Sequence, residues 1–432
     1  MMRHNLFFEF KEFFERLIGE VSMRQNLAGL RLIISLIGLC GFVSTIYAAP
    51  GDLDGSFSQD GKLVEIIGTP INVSDRIDDV IIQPDGKIIA LGRGFSNRYF
   101  CIIARYNTNG SLDSSFGNGG KVFLPFQYTL EIALQTDGKI IVVGATNDNP
   151  RDMLLARFNS NGSIDTTFDG DGQVTTDFGG DEVAISVAIQ PDGKIVAAGN
   201  GNFSTRVDIV LSRYNQDGSL DTSLDNDGKV TTDVANNTED VKSLIVQPDG
   251  KMIVIGTNTV GGFSKDFMLV RYNQDGSLDT TFDNDGKVTT DFFGSYDFMI
   301  SAFLQTDGKI VVTGTAYIGN SPSADFVLAR YNPNGSLDTT FDGDGKVFTD
   351  IPSAMLTSAR DITIHSDGKI ILAGYVNFNA TGSGDDFIVV RYNTDGSLDT
   401  TFDNDGYVIT NVGGSIDQAE SVIVQNDGKI IA

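Results

Sequence analysis

Two short cassettes recur along this chain, and their spacing dictates a repeat architecture before any other feature is weighed. The first is RYNQDGSLDTTFDNDGKV at Arg271 to Val288, with relatives beginning at Arg105, Arg157, Arg213, Arg330 and Arg391 and a headless copy at Leu53 to Leu63. The second is QPDGKI at Gln83, with relatives at Gln135, Gln190, Gln247, Gln305, His365 and Gln425. The turn aspartates of the second cassette, from Asp85 to Asp427, lie 52 to 60 residues apart. A period of that length means one supersecondary unit per copy, each burying its apolar surface against its neighbours.

Where the length varies says which parts are structured. From the cassette arginine to the glycine before the next strand is always 15 residues, and from the glutamine position to the glycine closing the following strand is always nine. All variation falls in two other segments, after the Gly120-type glycine and after the Gly144-type glycine. Constant spacing marks hydrogen-bonded register and variable spacing marks loops. The fifth copy reads as four strands, Lys287 to Phe292, Met299 to Gln305, Lys309 to Gly314 and Asp325 to Tyr331. The Asp-Gly turn between the second and third makes a tight antiparallel hairpin, because glycine accepts the positive φ there. Third-strand runs such as Ile253-Val254-Ile255 lack alternation, which indicates burial on both faces, as in stacked blades. Starts near 53, 112, 164, 220, 278, 337 and 398 predict an all-β β-propeller of seven four-stranded blades with the last one truncated, within residues 50–432. An open solenoid of four-stranded units is the weaker alternative.

The RYNxDGSLDTTF and QPDGKI cassettes resemble the delta-60 repeat family, bacterial exported proteins whose repeats are taken to form β-propeller blades. The resemblance covers residues 52–432 and implies fold and export. It implies no activity, and propellers host many unrelated roles.

The N-terminus carries its own signals. Residues 23–49 read as a secretory signal peptide: Arg24 and Arg31 form a basic start, Leu32 to Ile46 is uncharged and apolar, and Ala48 and Ala49 offer a cleavage site. A retained anchor is the alternative, but 15 apolar residues fall short of the roughly 20 a spanning helix needs. Leu39 before Cys40 argues against a lipid anchor, which wants a small residue there. Residues 1–22 read as a misassigned upstream extension, with a long amphipathic leader as the alternative. The expected location is therefore secreted or cell envelope. Without residues 1–49, which hold five basic and four acidic residues, the net charge is −27. Nucleic acid is an unsuitable partner, since phosphate binding needs concentrated positive charge. Cys101 is then the sole cysteine, so neither an internal disulfide nor a cysteine metal cluster can form.

Candidate chemistry is sparse. The loops of the first cassette gather oxygen ligands, Asn215, Asp217, Asp221, Asp225 and Asp227, then Asn273, Asp275, Asp279, Asp283 and Asp285, then Asn393, Asp395, Asp399, Asp403 and Asp405. Calcium takes six to eight such oxygens, so these are calcium candidates, although the spacing is not that of an EF-hand. The competing reading is turn chemistry, in which Asn and Asp accept hydrogen bonds from their own loop. The cassette arginine, eight residues before the Leu-Asp aspartate, reads as a bidentate structural latch. Cys101 occupies a slot filled elsewhere by Met153, Ile209 and Phe267, a core position. His4 and His365 supply no triad or metal set. Five glutamates remain after residue 49, Glu65, Glu131, Glu182, Glu239 and Glu420, and read as lying before the second strand of each copy or in its first. The two cassettes are expected on one face and the variable loops on the opposite rim, the better place for a specific ligand. The expected function is an exported non-catalytic scaffold binding an unidentified protein or glycan, requiring no cofactor. The alternatives are a calcium-stabilised surface adhesion module and a carboxylate-based carbohydrate-active enzyme, which needs acids converging on a central pocket.

Overall fold

The computed structural model describes residues 51–63, 76–95, 99–124, 128–203, 206–234, 237–260, 264–294, 296–317, 323–378, 384–412 and 416–432. The proposed signal and upstream extension lie outside them. Among the described residues six four-stranded antiparallel sheets form. They are β1 to β4 (Arg76–Ile82, Ile88–Phe95, Tyr99–Tyr106, Lys121–Leu124), β5 to β8 (Tyr128–Leu134, Ile140–Ala145, Met153–Phe158, Gln173–Thr176) and β9 to β12 (Asp181–Ile189, Ile195–Asn202, Val207–Tyr214, Lys229–Thr232). Then follow β13 to β16 (Glu239–Val246, Met252–Val260, Ser264–Tyr272, Lys287–Thr290), β17 to β20 (Asp297–Leu304, Ile310–Tyr317, Ala324–Tyr331, Lys346–Thr349) and β21 to β24 (Leu356–Ile364, Ile370–Asn377, Asp385–Tyr392, Tyr407–Thr410). A last pair, β25 (Ile423–Val424) and β26 (Ile430–Ile431), makes a two-stranded sheet.

The chain is thus a six-bladed β-propeller, and two expectations are corrected. Among the described residues six four-stranded blades form and not the expected seven, the seventh start yielding the two-stranded hairpin β25–β26. The blades are also phased one strand later than the cassette count. The short strand after each first cassette, such as β16, pairs with β15 of the preceding unit rather than with β17. The first strands of successive sheets contact one another, β1 with β5, β5 with β9 and onward to β21, so these strands form the inner ring and the short fourth strands the outer edge. The strand β25 touches both β21 and β1, which places the hairpin between the sixth and first blades.

The core lies between blades rather than inside any one of them. A single cluster joins Ile253, Ile255, Phe267 and Leu269 of the fourth sheet to Met299, Ile310, Val312 and Val327 of the fifth. That is why runs such as Ile253 to Ile255, in the second strand of each corrected blade, lack polar alternation: each faces a neighbouring sheet on both sides. Cys101 is fully buried in the equivalent slab between the first two blades, as its slot predicts.

The constant nine-residue spacing has a steric cause. Each inner strand carries a bulge, for example between Thr129 and Glu131, and the register places Thr129 opposite Gly144. A Cβ on Gly144 would lie 1.9 Å from the Tyr128 carbonyl oxygen. Gly199, Gly256, Gly314 and Gly374 meet the same obstacle at 1.9 to 2.2 Å. The glycine is needed for space, since the bulged carbonyl occupies the volume a side chain would fill.

Candidate functional site

The cassette loops use their oxygens locally. Asn215 Nδ2 donates to Ser219 Oγ at 3.0 Å, and Asp217 Oδ1 accepts Ser219 N and Oγ at 3.0 and 2.7 Å. Asp227 Oδ1 accepts Lys229 N at 2.9 Å, and Asp225 adopts φ of +45°. The other two sets repeat this. Asn273 and Asn393 donate to Ser277 and Ser397, and Asp275 and Asp395 accept from the same serines. Asp285 and Asp405 accept the N–H two residues on, and Asp283 and Asp403 have φ of +49°.

The remaining members, Asp221, Asp279 and Asp399, belong to an ion-pair latch that recurs in all six blades. Arg330 Nε meets Asp338 Oδ2 at 2.7 Å, and Lys309 Nζ, from the second cassette, meets the same oxygen at 2.9 Å. Both cassettes therefore do share one face. The arginine is not bidentate on the aspartate as expected. Its Nη1 donates to the Thr394 carbonyl of the next blade, its Nη2 to Thr340 Oγ1, and its plane lies 4.4 Å over Phe341. Burial acts to raise the Asp338 carboxyl, but hydrogen bonds from Thr340 and Lys309 outweigh it and hold the group well below the usual carboxylate range. The lysine is the member the sequence reading missed. It sits in every Asp-Gly-Lys turn, but nothing local ties that turn to an aspartate 26 to 30 residues on.

A second carboxylate arrangement occupies the opposite rim, where the variable loops lie. Asp152, Asp177 and Glu182 bring carboxylate oxygens within 4.8 Å of one another, as do Asp208, Asp233 and Glu239, and Asp266, Asp291 and Asp297. Each triad spans a blade junction: one acid at the start of a third strand, one just after the fourth strand, one opening the inner strand of the next blade. The last acid is buried in every case, and one of its oxygens accepts a loop N–H. Gly180 N donates to Glu182 Oε1 at 2.5 Å, Val234 N to Glu239 Oε1 at 3.2 Å, and Phe292 N to Asp297 Oδ2 at 2.6 Å. Their second oxygens, Glu182 Oε2, Glu239 Oε2 and Asp297 Oδ1, are buried without a hydrogen-bond partner. Burial, helped by the neighbouring acids, pushes Glu239 up to about 8 and Asp297 up to about 7, and raises Glu182. At the sixth junction Asn411 stands where the other triads have aspartate, and its Nδ2 donates to Asp386 Oδ1 at 2.8 Å.

The strand bounds correct the placement of the glutamates: Glu131, Glu182 and Glu239 lie within the inner strands β5, β9 and β13. Glu131 belongs to a third group, the residues just after the bulges of the inner ring, Asp79, Glu131, Ser186, Ser243, Ser301, Asp361 and, before β25, Ser421. They link blade to blade. Ile132 N donates to Asp79 Oδ2 at 3.0 Å, Val187 N to Glu131, Leu244 N to Ser186 Oγ at 2.9 Å, and Ser301 Oγ to Asp361 Oδ1 at 2.8 Å. Ser421 Oγ closes the ring, donating toward Asp361 Oδ2 at 3.0 Å and Asp79 Oδ1 at 3.2 Å. Burial, then the charge of the neighbouring acids, pushes Asp79 up to about 7 and Glu131 up to about 8.

The sign of the resulting pH dependence follows from proton counting. Between the unfolded carboxyl value of about 4 and these raised values, the folded state binds protons that the unfolded state has released. Stability therefore falls as pH rises from about 5 to 8, by about 2 kcal/mol or more, and levels off above that. The latch aspartates titrate below this window and do not offset the fall. Urea midpoints across that range test it, and Glu131→Gln, which keeps the neutral form, should flatten the slope. A midpoint independent of pH would contradict it.

Comparison with known proteins agrees with the fold. Residues 83–116, 135–168, 190–224, 247–282, 305–341 and 365–402 match the family described as "Domain of unknown function (DUF5122) beta-propeller". Each match begins at the second cassette's Gln or His and ends at the buried Phe or Leu of the following first cassette, so it frames one latch. No curated protein matches the sequence. Among solved structures, the polysaccharide lyase Uly1 aligns at 12% identity and TM-score 0.44, over 88% of this chain and 92% of that one. A protein of unknown function from Dyadobacter fermentans aligns at 8% identity and TM-score 0.44, over 71% and 92%. The β-propeller domain of the Trilobed protease from Pyrococcus furiosus aligns at 12% and 0.38, over 73% and 82%. At that level the likeness bears on no ligand or reaction.

Proposed function

We propose that this chain is an exported, non-catalytic binding propeller whose loop-variable rim is organised by hard divalent cations, calcium above all, held at three successive blade junctions. The observation that carries the reading is the threefold recurrence of a buried acid with one oxygen on a loop N–H and the other unpaired, with two more carboxylates within 4.8 Å. An unpaired buried carboxylate oxygen is costly, and a cation coordinated by it removes that cost. Calcium accepts such mixed carboxylate and carbonyl shells, completed by water. At the second triad Arg206 already faces Asp208 at 3.0 Å and Asp233 at 2.9 Å, so the first and third triads are the tighter sites. Beside the third, exposed Phe293, Tyr296 and Phe348 offer an apolar face to a protein or glycan ligand. Export rests on residues 23–49.

Calcium is expected to raise the melting temperature, a site contributing about 2.7 kcal/mol when the free ion stands at 100 times its dissociation constant. The triple variant Glu182→Gln, Glu239→Gln, Asp297→Asn should fold without calcium and lose the rise, because its amides mimic the protonated acids. No rise in the native protein, or an equal rise in the variant, would overturn the reading.

A further inference from the structure

We propose that Asn118, in the β3–β4 loop of the first blade, is a site of spontaneous covalent modification, deamidating by attack of the Gly119 backbone nitrogen on its side-chain amide. The chemistry needs only the neighbouring backbone and water. The Gly119 nitrogen loses its proton as it bonds to Asn118 Cγ, the Cγ–Nδ2 bond breaks, and ammonia leaves. Water then opens the five-membered imide at one of its two carbonyls. One opening gives aspartate, and the other gives an isoaspartyl link in which the main chain runs through the former side chain. Glycine is the following residue that hinders the attack least, since it has no side chain in the way. Five Asn-Gly pairs occur in the sequence, at Asn109, Asn118, Asn161, Asn200 and Asn334, so the dipeptide alone does not single one out.

The structure does single one out. In the cassette turns, Asn109, Asn161 and Asn334 each turn Oδ1 to the N–H and hydroxyl of the serine two residues on, at 2.7 to 3.1 Å. The nitrogens that would attack are engaged as well: Gly110, Gly162 and Gly335 are buried and donate to the carbonyls of Asn107, Asn159 and Asn332 at 2.8 to 2.9 Å. Asn200 is held by Val241 N at 2.9 Å and by Asp240 Oδ1 at 3.3 Å, and Gly201 lies in β10, paired on both sides. At Asn118 these restraints are missing. Among the described residues its side chain makes no hydrogen bond and the Gly119 N–H meets no acceptor. Both residues are exposed, and the space beside the Gly119 Cα is empty to 4 Å. The cause lies in the sequence. Gly119 stands where the other copies carry Asp171, Asp227, Asp285, Asp344 and Asp405, each of which accepts the N–H two residues on. The loop nevertheless has structural work at its base, where Gly117 N donates to Asn161 O of the second blade and Asn118 N to Lys121 O, both at 2.8 Å. An isoaspartyl link adds a backbone atom inside the turn that the second of these bonds closes, so it displaces the start of β4.

The test ages the intact protein in mildly alkaline buffer and follows all five Asn-Gly pairs by peptide mass spectrometry, with isoaspartyl methyltransferase labelling to count the isomer. Asn118 is expected to deamidate at least about tenfold faster than the other four, which must first open several hydrogen bonds to react. In urea, where those bonds are gone, the five rates should converge to within about threefold, because the dipeptide is the same. Folded protein in which Asn118 is no faster than Asn109, Asn161, Asn200 and Asn334 would overturn the proposal. So would a lead for Asn118 that survives unfolding, since local sequence and not the fold would then set it. In the aged, isoaspartyl fraction the amides of β4 should exchange with solvent faster than in fresh protein, and equal exchange would overturn the displacement of β4.

Discussion

Asp338→Ala is expected to lower the free energy of unfolding by about 3–5 kcal/mol, the range for removing one partner of a buried ion pair. The substitution leaves the guanidinium of Arg330, 7% exposed, facing no charge, and strips Lys309 of its second contact. Arg330 also bridges to the Thr394 carbonyl, so the loss is felt at the interface between the fifth and sixth blades. Asp54→Ala is the matched control. It occupies the same place in the cassette and accepts from Ser56, but its one charged partner among the described residues is Lys429 on an open surface, so its loss should cost under about 1 kcal/mol. Urea unfolding of the two variants checks this, and equal losses would contradict the latch.

The second large effect is steric. Gly144→Ala should destabilise by about 3 kcal/mol or more, the upper end for overpacking, because the added Cβ would sit 1.9 Å from the Tyr128 carbonyl and neither backbone can retreat without breaking the bulge. Gly170→Ala makes the contrast. There a Cβ meets nothing within 4 Å and only the φ of +89° resists, at about 1–2 kcal/mol. Thermal melts that rank the two the other way would show that conformational freedom, not space, explains the constant nine-residue spacing.

These two sites mark what sequence reasoning could reach. The constant offsets from Arg330 to Gly345 and from Gln135 to Gly144 are local, so they exposed the strands, the hairpins and the pairing of Arg330 with Asp338. Blade phase was not legible. A repeat has no origin of its own, and only hydrogen bonding tells that β16 closes the fourth blade instead of opening the fifth. The blade count erred for a related reason: the last cassette announces a start, but a start is not four strands. The triads escaped because their acids come from three elements and two blades, so Asp208, Asp233 and Glu239 never appear as a motif. A signal did exist. Thr-Thr closing the fourth strand and the Asp after it, at Asp177, Asp233 and Asp291, are followed five or six residues on by Glu182, Glu239 and Asp297, which open the next inner strand across a connection whose variable length hides the pattern.

The most direct measurement is the structure of crystals grown with calcium, with diffraction collected where calcium scatters anomalously. The account predicts anomalous peaks within coordination distance of Glu182 and Asp297, with a weaker one at Glu239, and none in the cassette turns around Asp217, Asp275 and Asp395. Peaks confined to those turns, or no peak at any triad, would contradict it.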